Sequence, residues 1–174
     1  MILWSTNTTV SGLDLMVSKL KQHPLCYHPD HKFYTSYYTP PDERPEKKLK
    51  SFYKKIISDA CKDLTLFDRG DFENYYWMQL YPQNGGTITL HHHHTPNTIF
   101  SWVHFIKPSS KKCFYFVNHK GDKTYPEQNE GDFIIFPSWA AHSVDPNQDK
   151  DDRIVTAGNV FAETIKQEFF KGFK

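Results

Sequence analysis

The sequence lacks the features of secreted, membrane-spanning and nucleic-acid-binding proteins. Its three cysteines, Cys26, Cys61 and Cys113, are odd in number and scattered, which fits reduced packing residues better than a disulfide framework or a zinc finger. No apolar run approaches the roughly 20 residues of a membrane span, and the first residues lack the pattern of a signal peptide. The formal net charge of +1 gives no field of one sign, so neither nucleic acid nor a membrane is indicated as a partner. We therefore expect a cytoplasmic protein.

Aromatic residues are abundant, at 16% of the chain, and they concentrate in short runs bounded by glycine and proline. Such runs favour β-strands. Several strands in succession, with no helices between them, predict an antiparallel sandwich or barrel rather than alternating β-α units. The predicted strands are 75–81, 87–93, 99–106, 112–117, 132–136 and 153–161.

The N-terminal part has a different pattern. Residues 13–20 favour a short helix with Ser11 available as its cap. A longer helix is predicted between Leu49 and Leu64, where apolar residues recur at the helical period. We expect one domain, 1–174, in which residues 1–72 form helical and loop support, residues 73–161 form the β core, and residues 162–174 form a C-terminal helix or tail.

Four consecutive histidines, His91 to His94, are the most distinctive feature of the sequence. Alternate residues of a strand point to the same face, so this run offers two possible side-by-side pairs, His91 with His93 or His92 with His94. A third histidine, His142, follows a predicted strand and a proline turn. The pattern indicates a metal site in which a pair from one strand is completed by His142.

The spacing resembles two motifs of the cupins, a glycine followed six positions later by His-x-His, and a glycine, a proline and a histidine. More specifically, the segment 81–161 resembles the phage and bacterial branch of the Fe(II)/2-oxoglutarate dioxygenases. The matching elements are His91-His92-His93, Pro96-Asn97, Ser101-Trp102-Val103, Gly131 to Ser138, His142, and Arg153 to Asn159. The resemblance implies a mainly β fold, a double-stranded β-helix or jelly-roll, cupin-like barrel, with supporting N-terminal helices.

The same resemblance implies a set of site residues. Fe(II) is expected to be held by His91, His93 and His142, with His92 and His94 as the alternative pair. Arg153 is expected to hold the distal carboxylate of 2-oxoglutarate, and Tyr81 and Asn159 are further candidates for contacts with this co-substrate. The expected activity is that of a 2-oxoglutarate-dependent dioxygenase, an oxidoreductase that hydroxylates an unactivated C–H bond.

These roles suit the chemistry of the groups. Three ligands from neighbouring strands occupy one face of an iron centre and leave the other face open, and imidazole is a suitable ligand for iron. A guanidinium binds a carboxylate through two parallel hydrogen bonds and stays charged at any relevant pH. Among the other residues of the predicted strands, Tyr76, Gln79 and Tyr81 are candidates for the cavity wall, and we expect His104 to satisfy a buried hydrogen bond.

One departure from the family pattern leaves alternatives open. Most 2-oxoglutarate enzymes carry His-x-Asp or His-x-Glu, whereas every position of this run is histidine. Cupin thiol dioxygenases also use three histidines and need no 2-oxoglutarate, so such a dioxygenase is the second hypothesis. The third is a non-catalytic, metal-binding β-barrel module. The sequence identifies neither the substrate, a small molecule or a peptide, nor the oligomeric state.

Overall fold

Two antiparallel sheets form the body of the protein. The computed structural model describes residues 1–64, 72–86 and 88–162. The strands are β1 (Trp4–Asn7), β2 (Tyr27–His28), β3 (Phe33–Thr35), β4 (Phe72–Tyr81), β5 (Ile88–His91), β6 (Thr98–Lys107), β7 (Phe114–Val117), β8 (Lys123–Thr124), β9 (Asp132–Pro137), β10 (His142–Val144) and β11 (Arg153–Ala162). The larger sheet has the order β1-β9-β6-β11-β4-β3-β2, and the smaller sheet has the order β5-β10-β7-β8.

The order of the strands is that of a jelly-roll. From β4 to β11 the chain crosses repeatedly between the two sheets, with β4, β6, β9 and β11 in the larger sheet and β5, β7, β8 and β10 in the smaller one. The long strand β11 is central to the larger sheet, since it pairs with β4 along its full length and with β6 on its other side. The predicted mainly β, double-stranded β-helix fold is confirmed.

The core has two layers. Between the sheets lies an apolar cluster that includes Phe105, Phe114, Phe136 and Val155. On the outer face of the larger sheet, the helices α1 (Leu13–Gln22) and α2 (Lys50–Asp63) pack their apolar sides against residues of β4 and β6. A 3₁₀ turn, Pro45–Leu49, leads into α2. The helices therefore brace the sheet from outside, and the space between the sheets is left for the site.

The N-terminal part contributes more than helices and loops. Strands β1 and β3 extend the larger sheet by pairing with β9 and β4, which the sequence did not predict. Helix α1 begins after Gly12, which has φ +70° and occupies the N-cap position. No side chain donates or accepts a capping hydrogen bond there, so the prediction of Ser11 as the cap was wrong. All three cysteines are buried and free, as expected of packing residues.

Two other predictions concern the ends of elements. The predicted strand 87–93 is shorter in the structure, where β5 ends at His91. The predicted C-terminal helix or tail, 162–174, lies almost entirely outside the described residues. Within the part of the chain that is described, no helix is long and apolar enough to cross a membrane.

Candidate metal centre

Three histidine side chains converge between the two sheets. His91 is the last residue of β5 and His142 the first of β10, and the two are direct partners in the antiparallel register. His93 lies two residues beyond the end of β5. Each of the three offers a ring nitrogen, and these nitrogens all lie within 4.8 Å of one another. The His91 and His142 ring centres are 4.4 Å apart, so the three rings surround a space suited to a single ion.

Backbone hydrogen bonds set this arrangement. After β5 the chain is anchored by the His93 N–H, which donates to the Ser138 carbonyl oxygen at 2.9 Å. Ser138 follows Pro137, and the Ala140 N–H donates to the Pro137 carbonyl oxygen to close a turn. This turn brings His142 back to the inner face beside His91. The proline turn therefore positions both His142 and His93.

The protonation state of the rings suits metal binding. Nδ1 of His91 donates to the Thr89 carbonyl oxygen at 2.8 Å, and Nδ1 of His142 donates to the Ala140 carbonyl oxygen at 2.8 Å. The proton is thereby fixed on Nδ1, and Nε2 is left with its lone pair. Burial, together with the neighbouring imidazoles, lowers the pKa of His93 to about 4 and that of His142 to about 3. Both rings are therefore neutral at pH 7.

The alternative histidine pair does not reach this centre. His92 and His94 are exposed to solvent, whereas His91 and His93 are partly buried and His142 is buried. The His94 N–H donates to Nδ1 of His92 at 3.3 Å, which keeps this pair together on the outer side. Among the described residues, no carboxylate belongs to the cluster. The structure thus brings together the pair His91 and His93.

The histidines lie in the wall of a small cavity, which offers about 40 Å³ to the centres of water-sized molecules. Strand β4 lines the cavity with Trp77, Gln79 and Tyr81, and β11 lines it with residues that include Arg153 and Val155. The wall is mostly apolar, so the few polar groups in it are candidates for binding roles.

Arg153 is a buried cation with unused hydrogen-bond donors. Its exposed fraction is 1%, and its guanidinium carbon lies 4.8 Å from the centre of the Tyr81 ring. Its Nε and Nη1 atoms are buried and have no hydrogen-bond partner in the described part of the chain, nor does any described carboxylate form an ion pair with it. An unpaired buried charge costs several kcal/mol, which an incoming anion would offset. The residues present therefore fit a bound carboxylate at this end of the cavity.

Tyr81 lies beside this arginine. Its ring stacks on Phe33 at 5.3 Å, and its hydroxyl donates to Oε1 of Gln79 at 2.9 Å. Burial raises the pKa of Tyr81 to about 12, so the hydroxyl remains a hydrogen-bond donor at neutral pH. Tyr81 and Gln79, both predicted as wall residues, lie in the cavity wall.

Three other predicted residues lie elsewhere. Asn159 does not line the cavity; it lies six residues beyond Arg153 on β11, and its Oδ1 accepts a hydrogen bond from Ser101 Oγ at 2.7 Å. Six strand residues span about 20 Å, so Asn159 is too far away to share a small co-substrate with Arg153. Tyr76 faces the helices and packs on Tyr53, with ring centres 5.2 Å apart. His104 satisfies a buried hydrogen bond, as predicted, through Tyr53 and the Thr8 carbonyl oxygen.

Trp77 is a wall residue of β4 that was not predicted from the sequence. Its ring centre lies 6.0 Å from that of His93. Strict alternation along the strand would have identified it, because Trp77, Gln79 and Tyr81 share one face while Tyr76 points the other way. The close packing of Gly86 on Tyr81 was also missed: a Cβ at Gly86 would lie 1.9 Å from a Tyr81 ring carbon.

Fold and site together define a class, the double-stranded β-helix enzymes with a mononuclear metal centre. Residues 75–159, close to half of the chain, match the model of the family described as "Putative 2OG-Fe(II) oxygenase". This segment contains all three histidines and Arg153. The segment that carries the site therefore matches the 2OG-Fe(II) oxygenases, which are oxidoreductases that use Fe(II) and 2-oxoglutarate.

Solved structures agree on the fold. The viral collagen prolyl hydroxylase of Paramecium Bursaria Chlorella virus-1 matches with a TM-score of 0.61 and 10% identity, over 92% of this chain and 96% of that one. The epimerase SnoN from nogalamycin biosynthesis matches with a TM-score of 0.63 and 10% identity, over 91% and 76%. A prolyl-4-hydroxylase of Pseudomonas putida matches with a TM-score of 0.56 and 15% identity, over 76% of this chain and 70% of that one. No curated protein matches the sequence. At these identities the likeness establishes the fold.

Proposed function

We propose that His91, His93 and His142 bind Fe(II), that Arg153 binds the distal carboxylate of 2-oxoglutarate, and that the protein hydroxylates a C–H bond of a target molecule. The observation that carries the proposal is the buried guanidinium of Arg153, which shares one cavity with the three histidines and lacks an anionic partner among the described residues. A bidentate carboxylate is the ligand that such a group binds best.

Fe(II) bound here would supply a redox centre with one open face, at which dioxygen and 2-oxoglutarate react. One oxygen atom of O₂ enters succinate, the other enters the hydroxyl group of the target, and the carboxyl carbon of 2-oxoglutarate leaves as CO₂. Because all three protein ligands are neutral, the centre keeps the full double charge of the ion and favours the anionic co-substrate. The lack of a carboxylate ligand is therefore compatible with 2-oxoglutarate.

The chain's own groups position the co-substrate and keep water out. Arg153 fixes one end of the molecule at the buried end of the cavity, and the hydrogen bond from Tyr81 to Gln79 orders the wall between Arg153 and the histidines. The hydrogen bonds from Nδ1 of His91 and His142 to backbone carbonyls hold those two rings in place. Apolar neighbours such as Val155 and Phe136 limit the access of water. Such fixed groups reduce the reorganisation needed during the reaction.

Turnover without a target tests the proposed function. The Fe(II)-loaded protein is supplied with oxygen and 2-oxoglutarate, and succinate is measured against a metal-free control. We expect slow succinate formation that requires iron and is lost in the variant Arg153→Ala. Oxygen uptake with a small thiol alone, unaffected by 2-oxoglutarate, would instead support the three-histidine thiol dioxygenase, and a stable protein that binds no iron would support a non-catalytic module.

A further inference from the structure

The cavity beside the histidines has no room for a target in addition to the co-substrate. It offers about 40 Å³ to the centres of water-sized molecules, and each such molecule needs roughly 10–15 Å³ of this space. A single small acid that reaches from Arg153 towards the histidines fills it. The bulk of a target must therefore be held outside the cavity, on a surface next to the metal centre.

Strand β5 provides an open surface at this place. It is an edge strand of the smaller sheet, pairs with β10 on one side, and has no described strand on its other side. It ends at His91, one of the three clustered histidines. Leu90 is 55% exposed, and His92, just beyond the strand, is exposed as well. We call the unpaired side of the chain from Leu90 to His92 the β5 edge.

The pairing of β10 shows which backbone groups point to β5. On the other side of β10, the Val117 N–H donates to the Ala141 carbonyl oxygen at 2.9 Å. Successive residues of a strand direct their N–H and C=O groups to opposite sides. His142 therefore directs its backbone groups away from β7 and towards β5, where its register partner is His91. The backbone groups of His91 are accordingly directed to β10.

The neighbours of His91 direct their backbone groups outward. His93, two residues on, confirms the alternation, because its N–H donates inward to the Ser138 carbonyl oxygen at 2.9 Å. Leu90 and His92 lie between these inward positions, so their N–H and C=O groups point to the open side. Neither residue is a register partner of β10, and no other described backbone group bonds to either. The β5 edge thus offers two donors and two acceptors at the spacing of a β-ladder.

A strand added to the β5 edge would present one side chain to the metal centre. Residues directly opposite each other on neighbouring strands point their side chains to the same face, with Cβ atoms about 4.5–5.5 Å apart. The residue opposite His91 would therefore point to the face on which His91 meets His93 and His142. Its backbone would stay outside the cavity. This arrangement solves the problem of space that the small cavity sets.

The β5 edge also lacks the charges that usually protect an edge strand. Free edges in proteins commonly carry lysine or other charged side chains, which discourage pairing with another chain. No Asp, Glu, Lys or Arg occurs between Glu73 and Lys107, a segment that contains all of β5. Trp139 follows Ser138, the partner of His93, and is 60% exposed. An uncharged edge with apolar groups suits a polypeptide strand and gives a phosphate backbone no cation to bind.

A second copy of the chain fits the same edge poorly. Antiparallel pairing of two β5 strands through Leu90 and His92 would place the two His91 residues directly opposite each other. Both metal centres would then lie on one face at close range, where two doubly charged ions repel strongly. Each copy would also cover the mouth of the other's cavity.

We propose that the oxygenase takes its target as an extended polypeptide strand added to the β5 edge, with the side chain opposite His91 directed to the metal centre. The inference rests on the proposed function, because it assumes that the metal centre acts on the side chain presented there. The two residues that flank the target residue must donate and accept backbone hydrogen bonds, so neither of them can be proline.

Peptide binding without turnover tests this inference. The full chain, loaded with Fe(II) and 2-oxoglutarate under argon, is titrated into the fluorescein-labelled peptide Lys-Thr-Val-Thr-Val-Thr-Val-Lys, and anisotropy is measured. The control peptide has the same side chains and carries N-methyl groups on its two central residues, which removes one N–H from each of its edges. We expect the unmethylated peptide to bind about tenfold more tightly than the control, because only it can complete the ladder.

Two variants of one residue locate the site on the protein. Leu90→Pro removes the outward N–H and leaves the bonds to β10, since proline is tolerated in an edge strand where its nitrogen faces solvent. It should weaken peptide binding by about tenfold and leave the iron content unchanged. Leu90→Val keeps the N–H and should bind within about twofold of the wild type. In the wild type, the unmethylated peptide alone should slow amide hydrogen exchange in the segment 88–94.

The inference is overturned if the two peptides bind equally, or if Leu90→Val and Leu90→Pro weaken binding to the same extent. Should Leu90→Pro lose iron, hydrogen exchange in the wild type decides, and a lack of protection at 88–94 contradicts the docking site. A dimer in sedimentation equilibrium that Leu90→Pro dissociates, with no peptide bound, would assign the β5 edge to a second copy and overturn the inference. Failure of the proposed function is detected separately, by the absence of succinate once oxygen is admitted.

Discussion

Arg153 and Tyr81 stand directly opposite each other on β11 and β4, with the guanidinium carbon 4.8 Å from the centre of the tyrosine ring. Cation–π contact of this kind holds a cation without neutralising it. The ring therefore orients the guanidinium while Nε and Nη1 are left without partners in the described structure. In the proposed function, this pair forms the carboxylate site in the cavity that also contains the three histidines.

Arg153→Ala is expected to weaken 2-oxoglutarate binding by roughly 100-fold or more, because a charge-assisted bidentate contact is lost. Iron binding should be unchanged, since Arg153 is not among the clustered metal-ligating groups. Arg153→Lys keeps the charge and loses the planar arrangement of donors, so its affinity for 2-oxoglutarate should lie between those of the wild type and of Arg153→Ala. Anaerobic titration measures the affinity for 2-oxoglutarate, and elemental analysis measures the iron content of each variant. Equal loss of both would mean that Arg153 has only a structural role.

The histidine run contains its own controls. Replacement of His91 or His93 by alanine should abolish stoichiometric iron binding, because a centre with two ligands holds iron weakly. Replacement of the exposed His92 or His94 should leave it intact. Iron content after gel filtration of untagged protein measures the difference. If His92→Ala lost as much iron as His91→Ala, the assignment of the pair would be wrong.

Gly86 is expected to be indispensable for the position of Tyr81. It has φ +93°, and an added Cβ would lie 1.9 Å from a Tyr81 ring carbon. Gly121 is a matched control, with φ +88° and nothing within 4 Å of the added atom. Gly121→Ala should cost only the backbone strain of about 1–2 kcal/mol, and Gly86→Ala should cost about 1–3 kcal/mol more. Urea unfolding gives both values.

Gly86→Ala should also weaken 2-oxoglutarate binding, since a displaced Tyr81 no longer supports Arg153. Gly121→Ala should leave that binding unchanged. Equal free energies of unfolding for the two variants would show that Tyr81 moves aside without cost.

The buried carboxyl of Glu46 predicts a dependence of stability on pH. Its Oε1 accepts from Ser36 Oγ and from the Met78 N–H at 3.1 Å, while the buried Oε2 has no partner in the described residues. Burial raises the pKa of Glu46 in the folded state. The folded protein thus holds this proton more strongly than the unfolded chain, in which the pKa of a glutamate is about 4.3. The free energy of unfolding should therefore fall as the pH rises from that value through the raised pKa.

Glu46→Gln removes this ionisation. Relative to the wild type, the variant should become steadily more stable as the pH is raised through that window, and urea unfolding at a series of pH values measures the trend. A stability difference that does not change with pH would contradict the raised pKa.

The sequence predicted the parts of the fold that repeat a simple pattern. Helix α2 has apolar residues at the helical period, and strand β11 is a long run rich in β-branched residues, so both were predicted. Strands β1, β2 and β3 were not predicted, because segments of two to four residues carry too little periodicity and depend on partners far away in sequence. The same holds for β10, which is three residues long.

The site shows a similar division. The pair His91 and His93 follows from alternation, and the proline turn before His142 is visible in the sequence. The place of Asn159 along β11 could not be read from a motif, because a motif gives spacing and not the end of the cavity at which a residue lies. The course of the loop around Tyr37 could not be predicted either, because it depends on hydrogen bonds from Arg44 to the Tyr37 and Thr39 carbonyl oxygens, which have no sequence signature.

Anaerobic titration of the Fe(II)-loaded protein with 2-oxoglutarate tests iron binding by the three histidines and co-substrate binding by Arg153 in one measurement. A visible metal-to-ligand charge-transfer band should appear and saturate at one equivalent per chain, and Arg153→Ala should shift its midpoint to much higher concentration. If no band forms in a protein that has bound one iron, His91, His93 and His142 do not form a 2-oxoglutarate-binding iron centre.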